Sequence, residues 1–99
     1  MNKEKVYGYF CAYCVGRKRA ASSQALEKLM NISGNELRKQ VNALRREGVP
    51  IASSGEGYFC AENAAEVYAT IRSLEKMRRG LDAAIAGLEK AMEKFGGGT

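Results

Sequence analysis

The chain of 99 residues contains no histidine, no tryptophan, a single proline and a single aspartate, Asp82. Without histidine there is no imidazole to serve as general base, so neither a Ser–His nor a Cys–His nucleophile can be assembled. No glycine-rich loop with phosphate-cradling spacing occurs, and no acid pair is set apart for general acid–base work. An enzyme is therefore not expected, and neither is a cofactor. No run approaches the roughly 18 apolar residues that a membrane helix needs. The opening MNKEKVYGYF mixes charge with aromatics instead of forming a signal peptide's apolar stretch. The expectation is a cytoplasmic protein with no membrane partner.

Cys11, Cys14 and Cys60 are the only cysteines. Cys11 and Cys14 have C-x-x-C spacing, which can signal metal or redox chemistry. A closed zinc site wants four thiolate or imidazole ligands, and three are available at most. Both residues fall in an apolar run that reads as helix, where cysteine acts as a small buried hydrophobe. Core packing is the reading, with no metal.

The net charge is +5, and all of the excess lies in the first part of the chain. Residues 1–60 hold ten Lys/Arg against five Glu, whereas residues 61–99 hold six against six. That asymmetry fits a first part that faces a polyanion, and equally the solvation of a small basic protein.

Helical spacing of Val6, Tyr9, Phe10, Tyr13 and Cys14 predicts a first helix over 5–15, with Gly16 as a left-handed cap. Arg17, Lys18 and Arg19 read as a solvated connection. Ser22 or Ser23 caps a second helix whose apolar face is Ala25, Leu26, Leu29 and Met30. Asn31 to Ser33 form a tight turn with Ile32 pointing inward. Ser33 and Glu36 have capping-box spacing at the start of a third helix, and Gly48 with Pro50 ends it. Two short strands, 51–53 and 58–61, follow around Ser54-Gly55-Glu56-Gly57. The order helix, helix, turn, helix, hairpin is that of a winged helix-turn-helix.

On the third helix, Leu37, Val41 and Leu44 share the core side. The opposite side carries Asn35, Lys39, Asn42 and Arg46, flanked by Arg38 and Arg45, with Glu36 and Glu47 toward the other edge. A helix needing only solubility usually mixes acids among its lysines. Asn pairs with adenine in the major groove, and Lys or Arg reaches guanine or phosphate. This face is therefore a candidate for reading double-stranded DNA.

The segment Leu44-Arg45-Arg46-Glu47-Gly48-Val49, followed by Gly55-Glu56-Gly57-Tyr58, resembles the winged helix-turn-helix family of the biotin operon repressor over about residues 5–61. In that family the third helix ends in L-R-x-x-G-V, and a strand leads to G-x-G-Y. The resemblance implies DNA contacts from Asn35, Arg38, Lys39 and Asn42, and backbone contacts near Ser22, Ser23 and the wing. It does not extend to a biotin ligase domain, so biotin binding is not carried over. The chain is also similar to small phage- or plasmid-type DNA-binding proteins that pair such a domain with a C-terminal helix. Glu56 departs from the neutral or basic wing tip of a DNA-contacting wing, so little DNA affinity is expected from this one.

From Asn63 a long helix is predicted, with Val67, Ile71, Leu74, Leu81, Ile85, Leu88, Met92 and Phe95 at alternating spacings of four and three. Arg78 occupies one apolar slot, and Gly80 offers a point where the helix can break into two shorter ones. The acidic flank Glu75, Asp82 and Glu89 has no basic counterpart on the other flank, which disfavours a parallel pair. Antiparallel packing, a larger bundle, or packing onto the chain's own domain remain open. A homodimer is the favoured expectation.

The sequence is thus read as mainly α with a small β-hairpin (α+β). A winged helix-turn-helix occupies 1–61, a helical oligomerisation segment 62–95, and a fraying tail 96–99. The function expected is sequence-specific DNA binding, as a transcriptional regulator or phage accessory factor with no small-molecule effector. The alternative is a winged-helix module that binds protein instead of DNA.

Overall fold

A computed structural model describes residues 3–96; apart from Gly96, the tail expected at 96–99 lies outside them. The chain is mainly helical with one two-stranded antiparallel hairpin and a long C-terminal helix. The elements are α1 (Lys3–Tyr13), a 3-10 turn at Arg17–Arg19, α2 (Ser23–Met30), α3 (Gly34–Arg46), β1 (Ile51–Ser54), β2 (Gly57–Cys60), α4 (Ala64–Met92) and a closing 3-10 turn at Glu93–Phe95.

Helix α1 ends two residues earlier than periodicity predicts, and the sheet is the reason. Cys60 donates its N–H to the carbonyl of Cys14 at 2.6 Å, and Gly16 donates to the carbonyl of Cys60 at 2.8 Å. The backbone after Tyr13 is thereby drawn into an extended bridge with β2. Gly16 has φ 86° and ψ 150°, which is not a helix-capping conformation. Tyr13, expected in the core, is 66% exposed. Cys14 is buried as expected, but Cys11, expected in the core with it, is exposed; Cys60 is half-buried against the core. Burial, and secondarily Cys60, pushes the Cys14 thiol above its ordinary value.

Ser22 is the N-cap of α2, its hydroxyl accepting the Ala25 N–H at 3.1 Å. Leu26 and Met30 are buried, whereas Ala25 and Leu29 are exposed, so the apolar face is narrower than predicted. Asn31 takes φ 54°, and the Ile32 N–H reaches back to Glu27 at 3.1 Å. This left-handed ending reverses the chain into α3. Ser33 caps α3 by accepting the Glu36 N–H at 3.1 Å. The Glu36 carboxylate accepts from Gln40 Nε2 at 2.7 Å, so the side-chain half of the predicted box is turned along the helix. At the other end Gly48 has φ 90°, with Gly48 N–H to Arg45 and Val49 N–H to Leu44, both at 3.0 Å. These two bonds satisfy the last carbonyls in a Schellman ending.

The strands pair from Ile51↔Cys60 to Ser54↔Gly57, closing a two-residue loop at Gly55-Glu56. Ala21 joins as a third short rung, exchanging both hydrogen bonds with Tyr58 at 2.9 Å. The core gathers Val6, Phe10, Cys14, Leu26, Met30, Leu37, Val41, Leu44, Ile51, Ala52 and Phe59 from the three helices and two strands before α4 and the segment after α1. Each fully buried aliphatic or aromatic side chain there contributes about 1.5–3 kcal/mol.

Asn63 caps α4, accepting the Glu66 N–H at 3.0 Å. The helix runs unbroken through Gly80, so the possible break does not occur. A glycine costs a helix interior only about 1 kcal/mol, too little to interrupt so long a segment. Thr70 anchors α4 to the hairpin: its buried hydroxyl accepts the Ser53 N–H at 3.2 Å and donates to the Glu66 carbonyl at 3.1 Å. Beyond this point α4 projects from the core. The radius of gyration is 17.1 Å, against about 13 Å for a compact chain of this size. Among the described residues, no helix is long and apolar enough to cross a membrane.

Candidate nucleic-acid interface

The core side of α3 is fixed by Leu37, Val41 and Leu44, all nearly inaccessible to solvent. Helical periodicity then leaves Asn35, Arg38, Lys39, Asn42 and Arg46 exposed. A helix is about 10–12 Å across with its side chains, comparable to the major groove's width of about 12 Å.

Neither Glu36 in α3 nor Glu47 at its C-cap interrupts this face. Glu36 is half-buried against Gln40. Glu47 forms an ion pair with Lys3 at the start of α1. Lys39, Asn42 and Arg46 make no hydrogen bond or ion pair with other described side chains. Arg38 is partly engaged, donating to the Asn35 side-chain oxygen one turn earlier.

Arg45 is placed differently from its neighbours. Its Nε donates to the Ile51 carbonyl at 2.8 Å, a terminal nitrogen lies 3.4 Å from Ser53 Oγ, and the guanidinium sits 5.9 Å from the Tyr58 ring centroid. Tyr58 in turn meets Phe10 edge-on at 6.5 Å. Burial lowers the Arg45 pKa, opposed by Tyr58. This residue, read from sequence as part of the outward face, clips the hairpin to α3. Ser22 and Ser23 lie at the start of α2 with hydroxyls already engaged, Ser23 donating to Glu27 at 2.8 Å.

The hairpin tip carries Glu56, and Arg17 approaches it to 3.9 Å. Both side chains are about two-thirds exposed, so this pair contributes little to stability. The Arg17 backbone N–H also donates to Glu66 at 3.2 Å. The 3-10 turn of Arg17, Lys18 and Arg19 therefore borders a cleft shared with Glu56, Glu62 and Glu66. From sequence alone these cations read as a plain connection. Their run of three was visible, but their acidic neighbours lie 39–49 residues away (Arg17 to Glu56, and Arg17 to Glu66). No group of three or more metal-ligating side chains converges among the described residues. The chain matches no family model, no curated protein and no solved structure.

Proposed function

We propose that this is a cytoplasmic, sequence-specific double-stranded DNA-binding protein of winged helix-turn-helix type, acting as a homodimer in transcriptional regulation or as a phage accessory factor. The observation that carries this reading is the outer face of α3, where Lys39, Asn42 and Arg46 are exposed and unpaired, while Glu36 is bonded to Gln40 and the C-cap Glu47 is paired with Lys3. Amides and cations on one groove-sized cylinder supply base contacts and phosphate anchoring together. The mechanism is occupancy: α3 enters a major groove, and the bound protein blocks or organises others.

Fluorescence anisotropy with duplex DNA across a salt series tests it. Each lost phosphate contact lowers the log–log salt slope by about 1. Lys39→Ala and Arg46→Ala should therefore each reduce the slope by about 1, and Lys39→Glu/Arg46→Glu should bring binding to background. No binding by the wild-type protein at low salt would overturn the reading.

A second reading, a protein-docking module, is favoured by the mixed charge of the cleft around Arg17–Arg19 and by Glu56 at the hairpin tip. Under it, the same double variant would leave capture of the protein partner unchanged. The homodimer is supported by the exposed seam of α4, and sedimentation equilibrium giving only the 10.8 kDa species at micromolar concentration would refute it.

A further inference from the structure

Beyond Thr70, α4 carries a seam of large apolar side chains that its own domain leaves in solvent. Leu81 is 65% exposed, Leu88 70% and Phe95 83%. At the base of the helix this seam runs into an apolar groove of about 250 Å³, walled by Val49, Pro50 and Ala52 on one side and by Val67, Ile71 and Leu74 on the other. Seam and groove form one continuous surface, because Ile71 and Leu74 belong to both.

We infer that the occupant is a second copy of α4 running antiparallel, with Leu88 and Met92 of each chain closing the groove of the other. This deepens the dimer part of the proposed function and rests on it.

Charge selects the direction. Residues 64–79 hold four Lys/Arg against two Glu, a net +2, whereas residues 80–95 hold two Lys against three acids, a net −1. A parallel pair sets like half against like half. An antiparallel pair sets the cationic half against the anionic one. Arg78 sharpens the choice. In a parallel coil the same seam position meets itself across the interface, so Arg78 would face the partner's Arg78 in an apolar seam. In an antiparallel coil it faces the partner's Leu81, with the partner's Asp82 next to it. Its own Glu75 already lies 3.9 Å away on the same helix.

The remaining layers of that register are apolar. Ile71 meets the partner's Leu88, Ile85 meets the partner's Leu74, and Met92 meets the partner's Val67. The acidic row Glu75, Asp82 and Glu89 would repel its copy along one edge, but Arg72 and Arg79 flank that edge. They come within two residues, about 3 Å along the axis, of the partner's Glu89 and the partner's Asp82. Met92 is unbranched and adaptable, suited to an irregular groove. The two groove ends would stand roughly 37 Å apart along the coil, from 25 residues at about 1.5 Å each.

The test places p-benzoyl-phenylalanine at position 95, a conservative change at an exposed site. A mixture of isotope-labelled and unlabelled full-length protein is irradiated, and inter-chain products are mapped after trypsin cleavage. The antiparallel register predicts attachment to the peptide Glu47–Arg72 of the other chain. Attachment to residues 91–96, beside the partner's own C-terminal turn, would overturn it, as would a dimer giving no inter-chain product. Sedimentation of the same sample separates the failures. A 10.8 kDa monomer removes the dimer itself, whereas a dimer with the wrong cross-link removes only the antiparallel arrangement.

Discussion

Replacing Gly57 by alanine probes the joint between the hairpin and the rest of the domain. Gly57 has φ 136°, a conformation that side-chain-bearing residues rarely adopt. An added Cβ would lie 2.1 Å from the Ala21 carbonyl oxygen, 2.5 Å from its carbon and 2.8 Å from the Ser22 nitrogen. All three obstacles are backbone, so no side-chain rotation relieves the overlap. The hairpin must move away by about 1 Å, which breaks the two 2.9 Å hydrogen bonds between Ala21 and Tyr58. Two such bonds contribute about 0.5–1.5 kcal/mol each, and the strained backbone costs about 1–3 kcal/mol. The sum is about 2–6 kcal/mol, a large part of the roughly 5–15 kcal/mol that holds a small domain folded. Urea unfolding followed by circular dichroism should show a much lower midpoint for Gly57→Ala. Gly55→Ala is the internal control: its added Cβ meets nothing within 4 Å, so its midpoint should stay near wild type. A Gly57→Ala protein within about 1 kcal/mol of wild type would refute the reasoning, because the tight approach of Ala21 to the hairpin would then be absent in solution.

Other substitutions separate structural from recognition roles. Arg45→Ala should destabilise by about 1–3 kcal/mol in urea, since it strips the Ile51 carbonyl of its charged donor. Its DNA salt slope should fall less than that of Lys39→Glu or Arg46→Glu; an equal fall would place Arg45 on phosphate. Glu56→Lys should leave both DNA affinity and salt slope unchanged, and a large gain in affinity would show that the hairpin tip approaches the DNA. Stability should decline in alkaline solution through Cys14. Its folded pKa is raised above the ordinary 9.0, so the unfolded thiol ionises first. The thiol's contribution is full below 9.0 and is lost as pH rises through the folded value. Cys14→Ala should flatten the urea-midpoint profile in that range, and an unchanged slope would assign the loss to other groups.

Much of the local architecture is legible in sequence because its causes lie within a few residues. Ser33 three places before Glu36, and Gly48 two places before Pro50, mark the start and stop of α3 through bonds spanning one turn. The periodicity of Leu37, Val41 and Leu44 fixes which side is buried, and thereby which side Lys39, Asn42 and Arg46 present to solvent. The seam of α4 is equally visible. What the tertiary structure decided are contacts between distant segments, which no local pattern encodes. Pairing of Cys14 and Gly16 with Cys60 shortened α1 and left Tyr13 in solvent. The Lys3–Glu47 pair occupied the acid at the C-cap of α3, and the carbonyl of Ile51 turned Arg45 toward the hairpin. The penalty of Gly80, about 1 kcal/mol, is smaller than the cost of nucleating a new helix beyond it, so α4 continues unbroken. Sequence therefore determined the faces of the helices, because periodicity and caps are local. Only the fold decided which charged side chains on those faces remain unengaged, because their partners come from far along the chain.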